Sequence, residues 1–373
     1  MWVVKVTFPY MGPVLAYKKL LEAVGHEVIM PQKPTQGTFD LATKYSPEFL
    51  CFPFKCLMGT YIEALEAGAE AIVTTGGDDN CRAGFYAEVH RRILASLGYN
   101  VQFFVIESLF KHPRDFIGSI RDLKGKYSWW HALGTIHFCY DLIAAMDRIQ
   151  ERIRILRAHE KNKGDFTRAW RDIEELFDTC YDRQDVRETE KKAWKILHSV
   201  PVELWDPKQA MRIGIVGEIY VTMEGHANQE IEETLAAMGV EVVNSQYVSH
   251  WLKQRLQILP WRKSHMEKII AKAKPYLKLD LGGHEQENIA HMIDYWEKGL
   301  DGVIHLMPFA CMPELVTQSI IPRISKDLGM PIVSLALDEQ RGTANIQTRL
   351  EAFLDLAMGK KIRRAGVPGL AAR

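Results

Sequence analysis

Glu66-Ala67-Gly68-Ala69-Glu70-Ala71-Ile72-Val73 finds a counterpart late in the chain in Glu297-Lys298-Gly299-Leu300-Asp301-Gly302-Val303-Ile304. Each stretch reads as the end of a helix, a glycine that stops it, and an apolar run of the length of a buried strand. Two such units at corresponding places predict a fold built twice.

Working outward, the first unit sits in an alternation of strands and helices. Val3-Val4-Lys5-Val6 reads as a strand, 14–24 as an amphipathic helix, and Gly25-His26-Glu27-Val28-Ile29-Met30 as a turn and second strand. A helix over 59–67 precedes the strand Ala71-Ile72-Val73-Thr74-Thr75, another helix follows Cys81, and Val101-Gln102-Phe103-Phe104-Val105 is one more strand. This is the rhythm of a parallel, helix-covered sheet. From about Arg114 to Pro207 the strand signals vanish, and 142–156, 166–177 and 188–197 read as charged amphipathic helices. At Met211-Arg212-Ile213-Gly214-Ile215-Val216-Gly217 the pattern restarts, with a helix through Ala236, Gly239 as its stop and Val240-Glu241-Val242-Val243 as the next strand. Gly25-His26-Glu27-Val28 and Gly239-Val240-Glu241-Val242 extend the likeness between halves. The expectation is an α/β protein of two Rossmann-like parallel-sheet domains, 1–113 and 208–373, related by a weak internal repeat and joined by a helical bridge over 114–207.

A chain of 373 residues is long enough for two or three domains. Lysine plus arginine equals aspartate plus glutamate at 47 each, so no global field favours nucleic acid or an acidic membrane surface. The amino-terminal Trp2-Val3-Val4-Lys5-Val6-Thr7 is a strand pattern without the features of a signal peptide, and no apolar run reaches membrane-spanning length. A soluble, cytoplasmic protein is expected, and in that compartment its six cysteines read as reduced thiols or metal ligands.

Cys51, Cys81 and Cys311 each lie in a Gly/Pro-rich turn beside an expected strand. Cys81 follows Gly68 by 13 residues and Cys311 follows Gly299 by 12, so the two occupy nearly equivalent places after equivalent strands. The counterpart of Cys51-Phe52 is Gly282-Gly283, so two thiols from one half and one from the other would make an asymmetric three-thiol site. Loops at the carboxyl ends of parallel strands form the edge where ligands bind, which places a cleft between the halves. No Cys-x-x-Cys pair is present, which argues against a zinc ribbon. Soft thiolates select zinc, copper(I) or iron–sulfur clusters, and three of them leave one position open. The competing reading is that these cysteines are small buried hydrophobes. Cys56 reads as lying just before a helix, able to reach the same site or face the core; Cys139 and Cys180 fall in the helical middle, where packing is favoured. Six thiols would also suffice for two linked cubanes.

Gly76-Gly77-Asp78-Asp79 and Gly282-Gly283-His284-Glu285 are turns whose backbone N–H groups could hold an anion or bond to sulfides. Neither matches a phosphate-binding fingerprint, and nucleotide binding is disfavoured. Lys55, Arg82, Glu218, His226, His284, His305 and Glu314 are the polar groups placed for proton transfer, each set against a structural role. Trp129-Trp130-His131 is expected to fill a core or an interface.

Ser46-Pro47-Glu48-Phe49-Leu50-Cys51-Phe52-Pro53-Phe54-Lys55 with Gly59, and Gly76-Gly77 through Cys81-Arg82-Ala83-Gly84-Phe85-Tyr86, resemble the 2-hydroxyacyl-CoA dehydratase component family. Gly217-Glu218-Ile219-Tyr220-Val221 and Pro308-Phe309-Ala310-Cys311-Met312-Pro313-Glu314 resemble its single-chain branch, the CoA protein activases or dehydratase activase-related proteins, and the chain is also similar to double-cubane cluster proteins. The resemblance implies that Cys51, Cys81 and Cys311 hold an oxygen-sensitive iron–sulfur cluster between two Rossmann-like domains, 4Fe-4S or alternatively an 8Fe-9S double cubane. It implies an anaerobic, ATP-dependent electron transfer from an actin-fold activator that carries its own iron–sulfur cluster. In the dehydratases the electron makes a ketyl radical on a CoA thioester, with substrate oxygen polarised at an open iron. The implied function is an iron–sulfur-dependent reductase or lyase acting on a small molecule, as a homodimer or heterodimer; the alternative is a non-catalytic electron carrier or activating partner. The chain departs from the dehydratases in carrying both halves on one polypeptide, in lacking a CoA-binding signature, and in the cysteines of its helical middle.

Overall fold

In the computed structural model of the chain, which describes residues 3–77, 81–109, 111–203, 206, 209–255, 265–340 and 342–364, the apolar runs pair into two sheets of four parallel strands. The first contains β1 (Lys5–Thr7), β2 (Glu27–Val28), β3 (Ala71–Thr75) and β4 (Gln102–Ile106) in the order β2-β1-β3-β4. The second contains β5 (Met211–Gly217), β6 (Val240–Asn244), β7 (Gly302–Pro308) and β8 (Ile332–Leu337) in the order β6-β5-β7-β8. The two orders are the same, as two Rossmann-like α/β domains require. The aligned octapeptides also share a register: Ala71 lies opposite Val6 on β1, and its counterpart Gly302 lies opposite Ile213 on β5. Gly68 and Gly299 take the positive φ that ends the helices Phe52–Glu66 and Glu285–Glu297. All seven residues of β7 are buried, which is why an apolar run without alternation suits this central strand.

One hydrophobic core runs through both halves. Phe52, Phe54, Met58 and Tyr61 from the first pack in the same cluster as Ile213, Ile215, Tyr220 and Leu306 from the second. The middle helices Trp129–Leu156, Asp165–Asp178 and Arg183–Ser199 build a separate core around Ile149, Phe166, Phe177 and Leu197, which also takes in Ala16 and Val248.

Several elements differ from their sequence expectations. The helix before β3 begins at Phe52 instead of 59, because Pro53 occupies the first turn, where its missing N–H costs nothing, and Gly59 lies inside. A Cβ on Gly59 would collide with the Thr38 carbonyl oxygen, so the glycine admits the helix Gln36–Tyr45, an element beyond the sequence expectations. The long middle helix starts after Ser128, whose hydroxyl accepts the His131 N–H, well before residue 142. Its first turn has no buried stripe: Trp129 is 44% and Trp130 83% exposed, so these tryptophans do not fill a core. The expected helix through Ala236 is broken into Ile219–Met223, Gly225–Asn228 and Ile231–Ala237, with Gln229 and Glu230 left-handed between the last two. Asn228 holds that break by donating to the Val221 carbonyl and accepting from the Ile231 N–H. Among the described residues, no helix is long and apolar enough to cross a membrane.

Candidate functional site

Each of the three singled-out cysteines stands immediately ahead of a helix, on extended backbone. Cys51 precedes Phe52–Glu66, Cys81 the short 3-10 helix Arg82–Phe85, and Cys311 the helix Met312–Leu328. Cys51-Phe52-Pro53 and Cys311-Met312-Pro313 use one local code, with proline in the first turn, where helices accept it. The amino end of a helix favours a thiolate, but here burial outweighs that effect at Cys51 and Cys311. Cys81 follows the carboxyl end of β3 and Cys311 that of β7, as expected. The helix from Cys51 leads into the amino end of β3, which returns Cys51 to the same edge.

Backbone and side-chain bonds tie the three loops together. Phe52, next to Cys51, donates its N–H across the halves to the carbonyl of Phe309, two residues from Cys311, at 3.3 Å. Arg82, next to Cys81, donates from Nη1 to the carbonyl of Phe49 at 2.8 Å. Cys51 and Cys311 are buried and Cys81 is partly exposed. Burial pushes the Cys51 thiol up to about 11, against a hydrogen bond from Tyr86 and with the charges of Glu218 and Cys81 adding to the rise. Burial pushes Cys311 further up, followed by the charges of Glu314, Glu218 and, more weakly, Cys51. Cys51 thus lies within electrostatic reach of both other thiols.

Among the described residues, no group of three His, Cys, Asp or Glu side chains is arranged to hold a metal ion. A polynuclear cluster makes a different demand, since each thiolate binds a different iron and the sulfurs stand further apart than ligands of one ion. The donor set fits such a group: three soft sulfurs from three loops at one edge, two of them in surroundings where a bare thiolate is costly and a bound cation offsets that cost.

The expected polar residues divide into several groups. Glu218 caps the helix Ile219–Met223 and accepts the Val221 N–H on Oε2 at 3.1 Å. Burial raises its carboxyl to about 7, opposed by the charge of His284 and by the backbone N–H groups of Tyr220 and Val221. His284 stands ahead of the helix Glu285–Glu297, the second half's counterpart of the helix that Cys51 begins. Glu314 and His305 are fully buried and locked together: Glu314 accepts from His305 Nε2 at 2.6 Å and from Asn288 Nδ2 at 2.9 Å. Asn288 in turn accepts the Gly217 N–H, and His305 Nδ1 meets Ser334 Oγ at 2.9 Å. That network fixes the Cys311 helix to the loop carrying Glu218. His226 lies deeper, 3.1 Å from the Tyr220 hydroxyl and 3.3 Å from Glu224 Oε2. Burial lifts Glu224 to about 8 against the Gly12 N–H that it accepts. Lys55 pairs with Glu339 and Arg82 pins a loop, so both have structural work.

The Gly282-Gly283 turn is not open to an anion, because the Gly282 N–H is taken by Asp280 Oδ1 and the Gly283 N–H by Glu285 Oε2. A Cβ on Gly283 would sit 2.5 Å from Pro313, so this turn serves close packing against the Cys311 helix. Gly76 gives its N–H to the Ile106 carbonyl, while Asp78 and Asp79 lie outside the described residues. Cys56 is inside the helix, fully buried in the shared core beside Tyr220; Cys139 and Cys180 are buried in the helical core. Tyr86, outside the expected site residues, places its hydroxyl 2.6 Å from Cys51 Sγ. Nothing local marks it, since the contact spans 35 residues.

Two Rossmann-like domains of like strand order, with thiols at the carboxyl edges of both, define the class of this protein. Residues 141–356, more than half of the chain, match the family model described as 2-hydroxyglutaryl-CoA dehydratase, D-component, and the chain belongs to that family. The matched span contains Glu218, His284, His305, Cys311 and Glu314; Cys51 and Cys81 precede it. No individual curated protein matches the chain.

Proposed function

We propose that this chain is an iron–sulfur redox protein of the dehydratase-component type, in which Cys51, Cys81 and Cys311 hold one 4Fe-4S cluster between two lobes, 1–113 and 208–373, with 114–207 as the bridge. The observation that carries this reading is that three cysteines, each standing immediately ahead of a helix, lie on loops of both halves joined by the Phe52–Phe309 and Arg82–Phe49 bonds. When bound, such a cluster supplies a low-potential electron and a Lewis-acidic iron. The chain's own part is to position substrate and handle protons. Glu218 is suited to the latter: its carboxylate is oriented by the Val221 N–H, and a carboxyl titrating near 7 can give or take a proton at neutral pH. A single cubane is favoured over the 8Fe-9S alternative because Cys56, Cys139 and Cys180 pack inside hydrophobic cores. An ATP-hydrolysing activator with its own cluster is the electron donor in this reading. The exposed Phe49, Phe85 and Phe309 flank the three cysteines in sequence, which suits a partner approaching there. The substrate is a small molecule, with a CoA thioester as the class that the family name suggests.

Anaerobic purification followed by iron and sulfide counting tests the reading. About four irons per chain support it, about eight select the double cubane, and none sinks it. Turnover of a CoA thioester with an ATP-dependent reductase then separates an enzyme from an electron carrier.

A further inference from the structure

The Cys51 sulfur has a phenol against it: Tyr86 Oη lies 2.6 Å away. The same short segment therefore delivers Cys81 as a thiol and, at the start of the helix Tyr86–Ser96, a phenol for Cys51. The ring is held on two sides. Phe54 packs edge-on at 5.2 Å between centroids and His90 at 5.9 Å, and His90 itself donates from Nε2 to the Phe54 carbonyl at 3.1 Å. A phenol so confined keeps its hydroxyl on the sulfur.

We infer that Tyr86 is a positioning and tuning residue, which donates its hydroxyl hydrogen to the Cys51 sulfur and thereby makes a cluster bound there easier to reduce. This inference rests on the cluster reading proposed above. A thiolate has no hydrogen to give, so in the bound form the phenol must be the donor. A donor to a ligand sulfur withdraws charge from it, and hydrogen bonds to the sulfurs are among the levers that set cluster potentials. Reduction adds negative charge to the cluster, so the hydrogen bond strengthens on reduction and favours the reduced form.

The test is Tyr86→Phe in the full-length, anaerobically purified protein, with iron content measured beside an EPR-monitored redox titration. The expected result is iron content equal to the parent's and a reduced-to-oxidised ratio about tenfold lower at a fixed ambient potential, equivalent to a midpoint about 59 mV more negative for one electron. Equal iron with an unchanged midpoint overturns the role of Tyr86 and leaves the cluster reading standing; a parent protein without iron or sulfide removes that reading itself. Should Tyr86→Phe fail to retain iron, replacement of Tyr86 by 3-fluorotyrosine, of nearly the same shape but a stronger donor, is expected to raise the midpoint, and an unchanged value there overturns the proposal.

Discussion

Lys55 Nζ lies 2.8 Å from Glu339 Oε1, joining the helix that begins at Cys51 to the loop after β8 in the other half. The lysine side chain is 3% exposed and the glutamate 24%, so the pair is largely withdrawn from water. Removing one partner of such a pair leaves a charge without compensation, which costs more than the pair itself contributes. Lys55→Met should therefore destabilise the protein by about 3 kcal/mol in urea unfolding, and Lys55→Met with Glu339→Leu by clearly less. Equal losses in the single and double variants would show that packing, and not charge, is the source.

The six cysteines separate into two groups by what surrounds them, and alanine substitution should separate them experimentally. Cys51→Ala, Cys81→Ala and Cys311→Ala should lower iron per chain while far-UV circular dichroism stays unchanged. Cys139→Ala and Cys180→Ala, in the helical core, should keep iron and lose about 1 kcal/mol of stability to the cavity each leaves. Iron lost equally from all five variants would count against a three-thiol site.

Much of this architecture was legible because it rests on local chemistry repeated twice. Gly68 and Gly299 stop helices in the same way, and Ala71 and Gly302 then enter strands at the same register, so a match of eight residues predicted both sheets. Cys81 and Cys311 could be placed because the carboxyl ends of parallel strands share one edge. What escaped the sequence depends on contacts between distant residues. The helix Gln36–Tyr45 opens on a Thr35/Thr38 capping box, without the Glu or Gln that usually signals one, and packs against Gly59, while the Tyr86 contact with Cys51 has no local signature. The Gly282-Gly283 turn misled for the opposite reason: its N–H groups look free in the sequence, but neighbouring carboxylates take them.

Ala310, immediately before Cys311, has φ of 60°, a left-handed conformation that a residue with a Cβ pays for by roughly 1–2 kcal/mol. The turn is held by Phe309 N–H to the Leu337 carbonyl and Cys311 N–H to the Pro308 carbonyl, and it sets the cysteine at the start of its helix. Ala310→Gly should accordingly leave thermal stability unchanged or slightly higher, whereas Ala310→Val, with a branched Cβ, should lower it by at least about 1 kcal/mol. A valine variant as stable as the parent would mean that the loop relaxes to another conformation.

His90 links stability to pH. It is 1% exposed, stacked on Phe54 at 4.0 Å, and burial drives its pKa down from 6.5 to about 3, only partly opposed by its bond to the Phe54 carbonyl. The folded protein therefore keeps the imidazole neutral, while the unfolded chain takes up a proton below about pH 6.5. Wherever the unfolded state binds more protons, stability rises with pH, so this histidine's contribution is complete above pH 6.5 and falls away as the pH drops towards 3. The slope approaches about 1.4 kcal/mol per pH unit once the unfolded histidine is fully protonated, and the loss between pH 6.5 and 5 is about 1.7 kcal/mol. His90→Phe keeps a stacked aromatic ring and removes the titrating group, so its urea midpoint should fall less than the parent's across that interval. Parallel losses in the two proteins would show that other groups govern acid unfolding and that His90 accepts a proton without leaving the core.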